Sequence, residues 1–404
     1  MTSVTGYSLV DYGGMITCEP RMSANADALR RAVKPGCTVI DIGAGPGVFA
    51  LLACRYGAGT VIAIEPNDSI ELLRRMAAEN DCSDRITIVQ GLSNQYEPDA
   101  KADVIISDLR GALPLFENHI PTIVDARDRL LEANGTLIPS RDTIRMAVVD
   151  SEESYAPSNR PWLHNHFNVD LSYAHRFAAN VWSKVKIEAS TLLCDPVTLA
   201  VLDYSTITDP DLTSSAKLIA TRAGTAHGLL LWFDAELAPG IGFSNAPGEP
   251  PQVYGQSFFP FERPVELLVD DRIEVGVRAK WIAGDYVWSW QTDVYRGESE
   301  SPIASYRQSS FQSRIFSPAK LARRATTFIP PALPDHAVDL YCLGLFDGKK
   351  SLGVIADALA AAYPDRFAGQ VDALTHVTLL ADRYAHTQTA SEPATPGPIE
   401  EPLP

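Results

Sequence analysis

Two carboxylates, Asp108 and Glu117, lie nine residues apart in the stretch IISDLRGALPLFEN. The apolar run before Asp108 predicts a buried strand that ends at this acid, and the glycine and proline that follow predict a turn. Two acids on opposite walls of one pocket could orient a nucleophile and stabilise charge that develops on it. The same pattern is compatible with a solvated loop, and both readings stay open on spacing alone.

A second candidate site is the glycine-rich stretch VIDIGAGPGVFALLA, which has the pattern of a strand, a turn and the start of a helix. Gly43, Gly45 and Gly47 would let a ligand approach the backbone, and a helix N-terminus supplies free N–H groups. The spacing differs from the dinucleotide fingerprint G-x-G-x-x-G, because Val48 stands at its last position. An acid, Asp41, lies two residues before the first glycine.

The next apolar run, TVIAIEPN, ends in Glu65, eighteen residues after Gly47. An acid at the end of the second strand can accept hydrogen bonds from both hydroxyls of a ribose. Together with Asp41 and the three glycines, Glu65 completes a pattern that resembles motif I of class I S-adenosylmethionine-dependent methyltransferases. The resemblance implies that S-adenosyl-L-methionine is the cofactor, with the glycine loop beside its methionyl and ribose parts.

The elements that would position these residues follow from the alternation of apolar runs. Between residues 22 and 139, the runs CTVIDIG, TVIAIE, RITIVQG, ADVIISD and GTLIPS are separated by segments with helical spacing. This predicts an α/β domain over 1–139, a doubly wound, Rossmann-like parallel sheet with strands buried on both faces. From 140 to 325, many short alternating strands predict an antiparallel sandwich or barrel that would bind the substrate.

The C-terminal part is predicted to be helical over 335–386. In SLGVIADALAAAY, Leu352, Ile355 and Leu359 share one stripe behind Ser351, which is placed to cap the helix. Residues 387–404 are predicted to be a disordered tail, because the last 14 residues contain five prolines.

Upstream of the glycines, YGGMITCEPRM places Met15 and Arg21 six residues apart. The segment resembles the N-terminal cofactor lid of protein arginine methyltransferases, and the likeness extends over about residues 7 to 300, including the order of the domains. It implies a methionine near the sulfonium and an arginine on the methionyl carboxylate. It also implies that Asp108 and Glu117 are the catalytic acids, at the positions of the two that grip a substrate guanidinium in that family.

The sequence departs from the family at the acceptor end. Asp108 replaces a glutamate, Arg110 stands where an apolar residue is usual, and Gln252, Val253 and Tyr254 replace a threonine-histidine-tryptophan loop. If both acids are ionised they need a cation, which either the acceptor or Arg110 could supply. The methyl acceptor is therefore a protein or peptide side chain or a small molecule, and a non-catalytic binding scaffold is a further alternative.

Two other segments carry a resemblance. Residues 160–182, RPWLHNHFNVDLSYAHRFAANVW, are similar to the family's dimerisation arm and imply a homodimer, against the alternative of an ordinary surface insertion. LFDGKKSLGVIADALAAAYPDRF is similar to the helical half of small PqqD-type peptide-binding domains, against the alternative of a plain helical cap.

The composition excludes several classes of partner. A net charge of -16 argues against nucleic acid, whose phosphates require a basic face. No apolar run reaches the roughly 20 residues of a membrane helix. Six scattered cysteines and the absence of a signal-peptide pattern predict a cytoplasmic protein with free thiols. No metal is expected, because His164 and His166 have no Cys, Asp or Glu beside them.

Overall fold

The computed structural model describes residues 7–164 and 166–385. Residues up to Ile315 form one compact unit and residues from Phe316 onward form a second. The predicted disordered tail, 387–404, lies outside the described residues.

The first unit begins with a five-stranded parallel sheet in the order β3-β2-β1-β4-β5. Its strands are β1 (Thr38–Ile42), β2 (Thr60–Glu65), β3 (Ile86–Gln90), β4 (Ala102–Ser107) and β5 (Leu131–Ile138). The predicted parallel sheet is confirmed. The expectation that every strand is buried on both faces is wrong for β3, which is an edge strand and is only partly covered.

Helices cover both faces of this sheet. They are α1 (Leu9–Ile16), α2 (Glu19–Ala32), α3 (Val48–Arg55), α4 (Glu71–Glu79) and α5 (His119–Asp125), which a π-helical turn, Ala126–Leu130, extends. Successive residues of β1 enter different cores: Val39 packs with Ala28 and Ala50, whereas Ile40 packs with Ile105 and Leu130. The strand order reverses between β1 and β4, and such a switch point is where open α/β sheets bind ligands.

An antiparallel β region follows, and its two sheets are ordered β7-β12-β10-β6-β8, with β11 on β10, and β15-β14-β13-β9. The strands are β6 (Arg141–Val149), β7 (Ser183–Val185), β8 (Val197–Asp203), β9 (Leu212–Ile219), β10 (Gly224–Ala238), β11 (Ile241–Ser244), β12 (Gln256–Leu267), β13 (Arg272–Ile282), β14 (Asp285–Tyr295) and β15 (Ala304–Ser309). The antiparallel prediction is confirmed, but β10 and β12 are longer than the short strands expected. In the core of this antiparallel region, the ring of Phe259 packs against the rings of Trp288 and Trp290.

Between β6 and β7 the chain forms two helices, α6 (Glu152–Leu163) and α7 (Ser172–Ala178). They lie in or beside the segment expected to be an arm. The segment exposes apolar side chains: Phe167 is 98% exposed and Tyr173 is 70% exposed.

The second unit contains α8 (Pro318–Ala322), α9 (His336–Gly344), α10 (Leu352–Ala362) and α11 (Gln370–Tyr384). Ser351 caps α10 as predicted, since its hydroxyl accepts the N–H of Val354 at 3.4 Å. Ile355 and Leu359 are buried in the small core, but Leu352 is 39% exposed, so the predicted stripe is shorter by one residue. Within residues 7–164 and 166–385, none of the helices is long and apolar enough to cross a membrane.

Candidate active site

The glycine loop joins the end of β1 to α3 at the switch point of the sheet. Gly45 and Gly47 adopt φ angles of +54° and +86°, which side-chain-bearing residues rarely take. A Cβ on Gly45 would lie 2.6 Å from the ring of Tyr12, and one on Gly47 would lie 2.5 Å from the methyl groups of Leu73. Both glycines are therefore required by backbone geometry and by space. Gly43 also has a positive φ, +73°.

Two acids flank this loop, and backbone N–H groups hold both of them. Asp41 is 1% exposed and accepts the N–H of Ala50 at 3.0 Å. Burial raises the pKa of its carboxyl to about 7. Glu65 accepts the N–H of Gly45 on Oε2 at 3.0 Å and the N–H of Asn67 on Oε1 at 2.8 Å. Each Glu65 oxygen receives one backbone donor, so each retains a lone pair for a ligand hydroxyl.

The N-terminal helices lie over the loop. Tyr12 of α1 packs on Gly45, and its hydroxyl lies 3.1 Å from the Ser69 hydroxyl. Arg21 of α2 donates from Nη1 to the carbonyl oxygen of Met15 at 3.2 Å. The predicted lid residues Met15 and Arg21 are thus in contact through the backbone of α1.

The shortest hydrogen bond of the Arg21 side chain is made by Nε, at the end of the site away from Met15. This nitrogen donates to Oδ2 of Asp108 at 2.6 Å. Asp108 follows β4 directly, and its side chain is only 4% exposed. The hydroxyl of Tyr254 lies 2.8 Å and 2.6 Å from the two oxygens of the same carboxylate. Arg21 therefore links the lid to Asp108.

Arg110 holds the opposite side of Asp108. Its Nη1 donates to Asp108 Oδ1 at 2.9 Å, while Nε and Nη2 donate to the two oxygens of Asp142 at 2.7 Å and 3.1 Å. The side chains of Arg110 and Asp142 are fully buried. Tyr204 also donates to Asp142, at 2.5 Å, and His119 Nε2 lies 3.1 Å from the Tyr204 hydroxyl.

Burial and neighbouring charges together set the protonation states of this network. Burial alone would raise the pKa of Asp108, but Arg21 and Arg110 outweigh it and hold that pKa below its usual range. Burial would lower the pKa of Arg110, but Asp142 and Asp108 outweigh it and raise that pKa. Burial, followed by Arg110, lowers the pKa of His119 to about 3. Asp108 and Arg110 are therefore charged and His119 is neutral at pH 7.

Glu117 has a different environment from Asp108. It is exposed, and among residues 7–164 and 166–385 its carboxylate has no hydrogen-bond or ion-pair partner. Burial, followed by Asp285, raises the pKa of its carboxyl. Its backbone takes a φ of +42°, and its carbonyl oxygen accepts the indole N–H of Trp281 at 3.0 Å. The two acids share one neighbour, since both contribute, after burial, to a raised pKa of the Tyr7 phenol.

Several residues of this site were not predicted from the sequence: Tyr7, Tyr12, Asp142, Tyr204 and, as a hydrogen-bond partner of Asp108, Tyr254. Asp142 did have a signal, because it alternates with Ile144 and Met146 on the buried face of β6. Tyr7, Tyr12 and Tyr204 had none, because phenols on remote segments carry no local pattern, whereas Tyr254 stands in the loop that departs from the family. In the part of the chain that the structure describes, no group of His, Cys, Asp and Glu is arranged to hold a metal.

Comparison with known proteins gives two family matches. Residues 141–292 match the arginine methyltransferase oligomerization subdomain, and residues 23–140 match the ribosomal protein L11 methyltransferase family (PrmA). A probable histone-arginine methyltransferase CARM1 of Oryza sativa subsp. indica is 33% identical over 210 residues, which is 49% of this chain and 40% of that protein. The chain thus spans less than half of this rice relative.

A second relative is matched over more of its length. An arginine N(omega)-methyltransferase of Streptomyces achromogenes subsp. streptozoticus is 26% identical over 286 residues, 66% of this chain and 74% of that protein. Among solved structures, the Trypanosoma brucei PRMT1 enzyme-prozyme complex with AdoHcy has a TM-score of 0.69 at 24% identity, over 74% of this chain and 96% of that one. Arabidopsis thaliana protein arginine methyltransferase 10 has a TM-score of 0.66 at 19% identity, over 75% and 97%. The chain is similar to these proteins in the parallel sheet and in the antiparallel region that follows it.

Proposed function

We propose that this chain, which has the protein arginine methyltransferase-like fold of class I methyltransferases, transfers a methyl group from S-adenosyl-L-methionine to a nucleophile held beside Asp108 and Glu117. The observation that carries the proposal is the pairing of Glu65 with the glycine loop at the sheet's switch point. A sulfonium supplies an activated methyl group. The acceptor's lone pair forms a bond to the methyl carbon, the sulfur–carbon bond breaks, and its electron pair remains on sulfur as a neutral thioether.

The residues around the loop fit this cofactor. Glu65 retains lone pairs for two ribose hydroxyls. Gly45 and Gly47 keep the backbone clear of side chains, and Tyr12 covers the loop from above. Arg21 has its Nη2 without a hydrogen bond among the described residues, and this group would bind the methionyl carboxylate near Met15. The chain's own contribution is to position both reactants and to exclude water.

The acceptor is proposed to be a side chain of a protein or peptide. The similarity to a probable histone-arginine methyltransferase of rice and to an arginine N(omega)-methyltransferase of Streptomyces supports a nitrogen acceptor. A small molecule or a non-arginine side chain is the second candidate, and the bond between Arg110 and Asp108 favours it. A non-catalytic scaffold is less well supported, because Asp41, Glu65 and the glycines are all in place.

Binding of S-adenosylhomocysteine, measured by calorimetry, tests the cofactor. The wild-type chain should bind it, and Gly45→Val should abolish binding, because the new side chain would meet Tyr12. Gly36→Val is the matched control: Gly36 has a φ of +81°, but a Cβ there would meet nothing within 4 Å. Binding of NAD without any response to S-adenosylhomocysteine would overturn the proposal. Transfer is then tested by mass spectrometry of peptides and cell extract incubated with isotopically labelled cofactor.

We further propose a homodimer formed through the arm, about residues 160–182. The match to an oligomerization subdomain supports an oligomer, and the exposed Phe167 and Tyr173 support an apolar contact. An arm of this kind would make an isologous interface with a second copy. Light scattering should give a dimer that becomes a monomer when residues 160–182 are deleted. A wild-type monomer at micromolar concentration would contradict this proposal.

Residues 1–139 would bind the cofactor, residues 140–325 would bind the acceptor, and residues 335–386 would form a helical module. The two family matches end at residue 292, so the PqqD-like resemblance stays a prediction. Six free cysteines support a reducing, cytoplasmic location.

A further inference from the structure

We propose that Arg110 is a built-in guanidinium that occupies the place on Asp108 where an acceptor guanidinium would bind, so that this chain methylates a smaller nucleophile, an amine, held by Glu117. The inference rests on the proposed methyl transfer and names its acceptor class.

Arg110 is fixed in place by its anchor on Asp142. Two of its nitrogens form a fork on that carboxylate, and a third nitrogen reaches Asp108. The guanidinium also lies 5.7 Å from the ring centre of Phe233 and 5.8 Å from that of Phe243. Because its side chain is fully buried, withdrawing it would leave two carboxylates without a cation inside the protein. Arg110 is therefore a permanent partner of Asp108.

Asp108 has little capacity left for a ligand. A carboxylate offers about four lone-pair positions. Oδ2 receives Arg21, Oδ1 receives Arg110, and the Tyr254 hydroxyl bridges both oxygens. With 4% of its side chain exposed, Asp108 can act as a wall of the pocket but has no free edge for a second guanidinium fork.

Glu117 is then the acid available to the acceptor. A guanidinium presents five N–H donors in a plane and needs acceptors along more than one edge. A single carboxylate can pair with only one edge of a guanidinium, but it is sufficient for the smaller charged group of a primary amine. Glu117 is also held for this role, because Trp281 fixes its backbone in an uncommon conformation without using its carboxylate.

The proposed transfer balances with Glu117 as the proton acceptor. The bound ammonium first gives one proton to Glu117, from which it passes to solvent. The neutral amine then attacks the methyl carbon, the carbon–nitrogen bond forms, and the sulfur–carbon bond breaks with its electron pair left on sulfur, so that the product leaves as a methylated ammonium. Burial and Asp285 raise the pKa of this carboxyl, which makes it a better proton acceptor than an ordinary glutamate.

The test compares two small probes, n-butylamine and n-butylguanidine, titrated by NMR into the wild-type chain with S-adenosylhomocysteine present. The guanidine should bind no more tightly than the amine. A guanidine that binds at least about tenfold more tightly than the amine would overturn the proposal. This readout needs no variant and no known substrate. Failure of S-adenosylhomocysteine to bind would be a separate result, and it would count against the methyltransferase function itself.

Variants then assign the effect to Arg110. In Arg110→Met/Asp142→Leu, which removes both members of the buried pair, the affinity ratio of guanidine to amine should rise at least about tenfold. Arg110→Lys retains a charge near Asp108 and should keep the wild-type ratio. Arg145→Met, a change on the same strand as Asp142 but outside the network, should leave the ratio unchanged. An unchanged ratio in a folded double variant, in which both probes still bind, would refute the role of Arg110.

Discussion

The two ends of the candidate site hold their carboxylates in different ways. At the cofactor end, Asp41 and Glu65 accept hydrogen bonds from backbone N–H groups within one stretch of chain. At the acceptor end, Asp108 is held by two guanidinium groups and a phenol, which come from α2, the β4–α5 loop and the segment before β12.

This difference determines what each end can bind. Backbone donors add no net charge and leave lone pairs of Glu65 free, so the cofactor end can still accept a ligand's hydroxyl groups. Guanidinium donors neutralise Asp108 and occupy its oxygens. Under the proposed function, Asp108 and its partners would act as a neutral wall, and recognition of the acceptor would fall to the carboxylate that has no such partners, Glu117.

The largest expected effect concerns the buried ion pair. Arg110→Met leaves Asp142 buried without a cation and should lower the free energy of unfolding by about 3–5 kcal/mol, measured by urea denaturation. Arg145→Met removes a partly exposed pair whose atoms lie 3.7 Å apart and should cost about 1 kcal/mol or less. Equal losses in the two variants would mean that the Arg110–Asp142 pair contributes no more than a surface contact.

The pH dependence of stability should have opposite signs at the two ends. The pKa of Asp41 is raised to about 7, so the folded state binds the proton more tightly than the unfolded state, and stability is lost as pH rises through about 7. Asp41→Asn should remove this loss, which is on the order of 4 kcal/mol at most. The pKa of Asp108 is lowered, so its contribution is present at neutral pH and is lost in acid.

Urea denaturation from about pH 2 to about pH 9, in steps of about one pH unit, measures both slopes, because the contribution of Asp108 is lost only below the ordinary carboxyl pKa of about 4. Asp108→Asn should flatten the acid side of the profile and leave the slope near pH 7 in place. If Asp41→Asn and Asp108→Asn changed the same part of the pH profile of stability in the same way, the contrast between the two ends would be wrong.

The next effect in size is on cofactor affinity. Glu65→Ala removes an acceptor of ligand hydroxyls and should weaken binding of S-adenosylhomocysteine by about 1–3 kcal/mol in calorimetry. Glu71→Ala is a matched control, because Glu71 is an exposed acid that pairs with Arg74 on α4. Unchanged affinity in Glu65→Ala would remove Glu65 from the cofactor site.

The same contrast explains what the sequence could predict. The parallel sheet, the glycine loop, Asp41 and Glu65 follow from local patterns, because the bonds that hold them join residues a few positions apart or neighbouring strands. The partners of Asp108 could not be found in this way, since Arg21 and Tyr254 lie 87 and 146 residues away in sequence. The family resemblance placed Asp108 and Glu117 at the acceptor end as candidates, but the sequence could not distinguish an acid paired with internal cations from one without a partner.

The smallest expected effect isolates Glu117, whose carboxylate has neither backbone donors nor a guanidinium among the described residues. Its pKa is raised first by burial and then by Asp285. Asp285→Asn should therefore lower the pKa of Glu117 without returning it to the ordinary glutamate value, because the burial remains. Carbon-13 NMR titration of the side-chain carboxyl groups measures this directly.

Glu274→Gln serves as the control for this titration, because Glu274 is an acid on the neighbouring strand β13 that pairs with Arg272 and is not among the causes of the Glu117 shift. It should leave the pKa of Glu117 unchanged. A raised pKa means that the folded state favours the protonated carboxyl, so Glu117 slightly stabilises the fold below this pKa and ceases to do so above it. A Glu117 pKa below the ordinary glutamate value in the wild-type chain would require a cation beside it. Glu117 would then be paired with a cation, as Asp108 is. In that case the proposal that Asp108 lines the pocket while Glu117 binds the acceptor would be wrong.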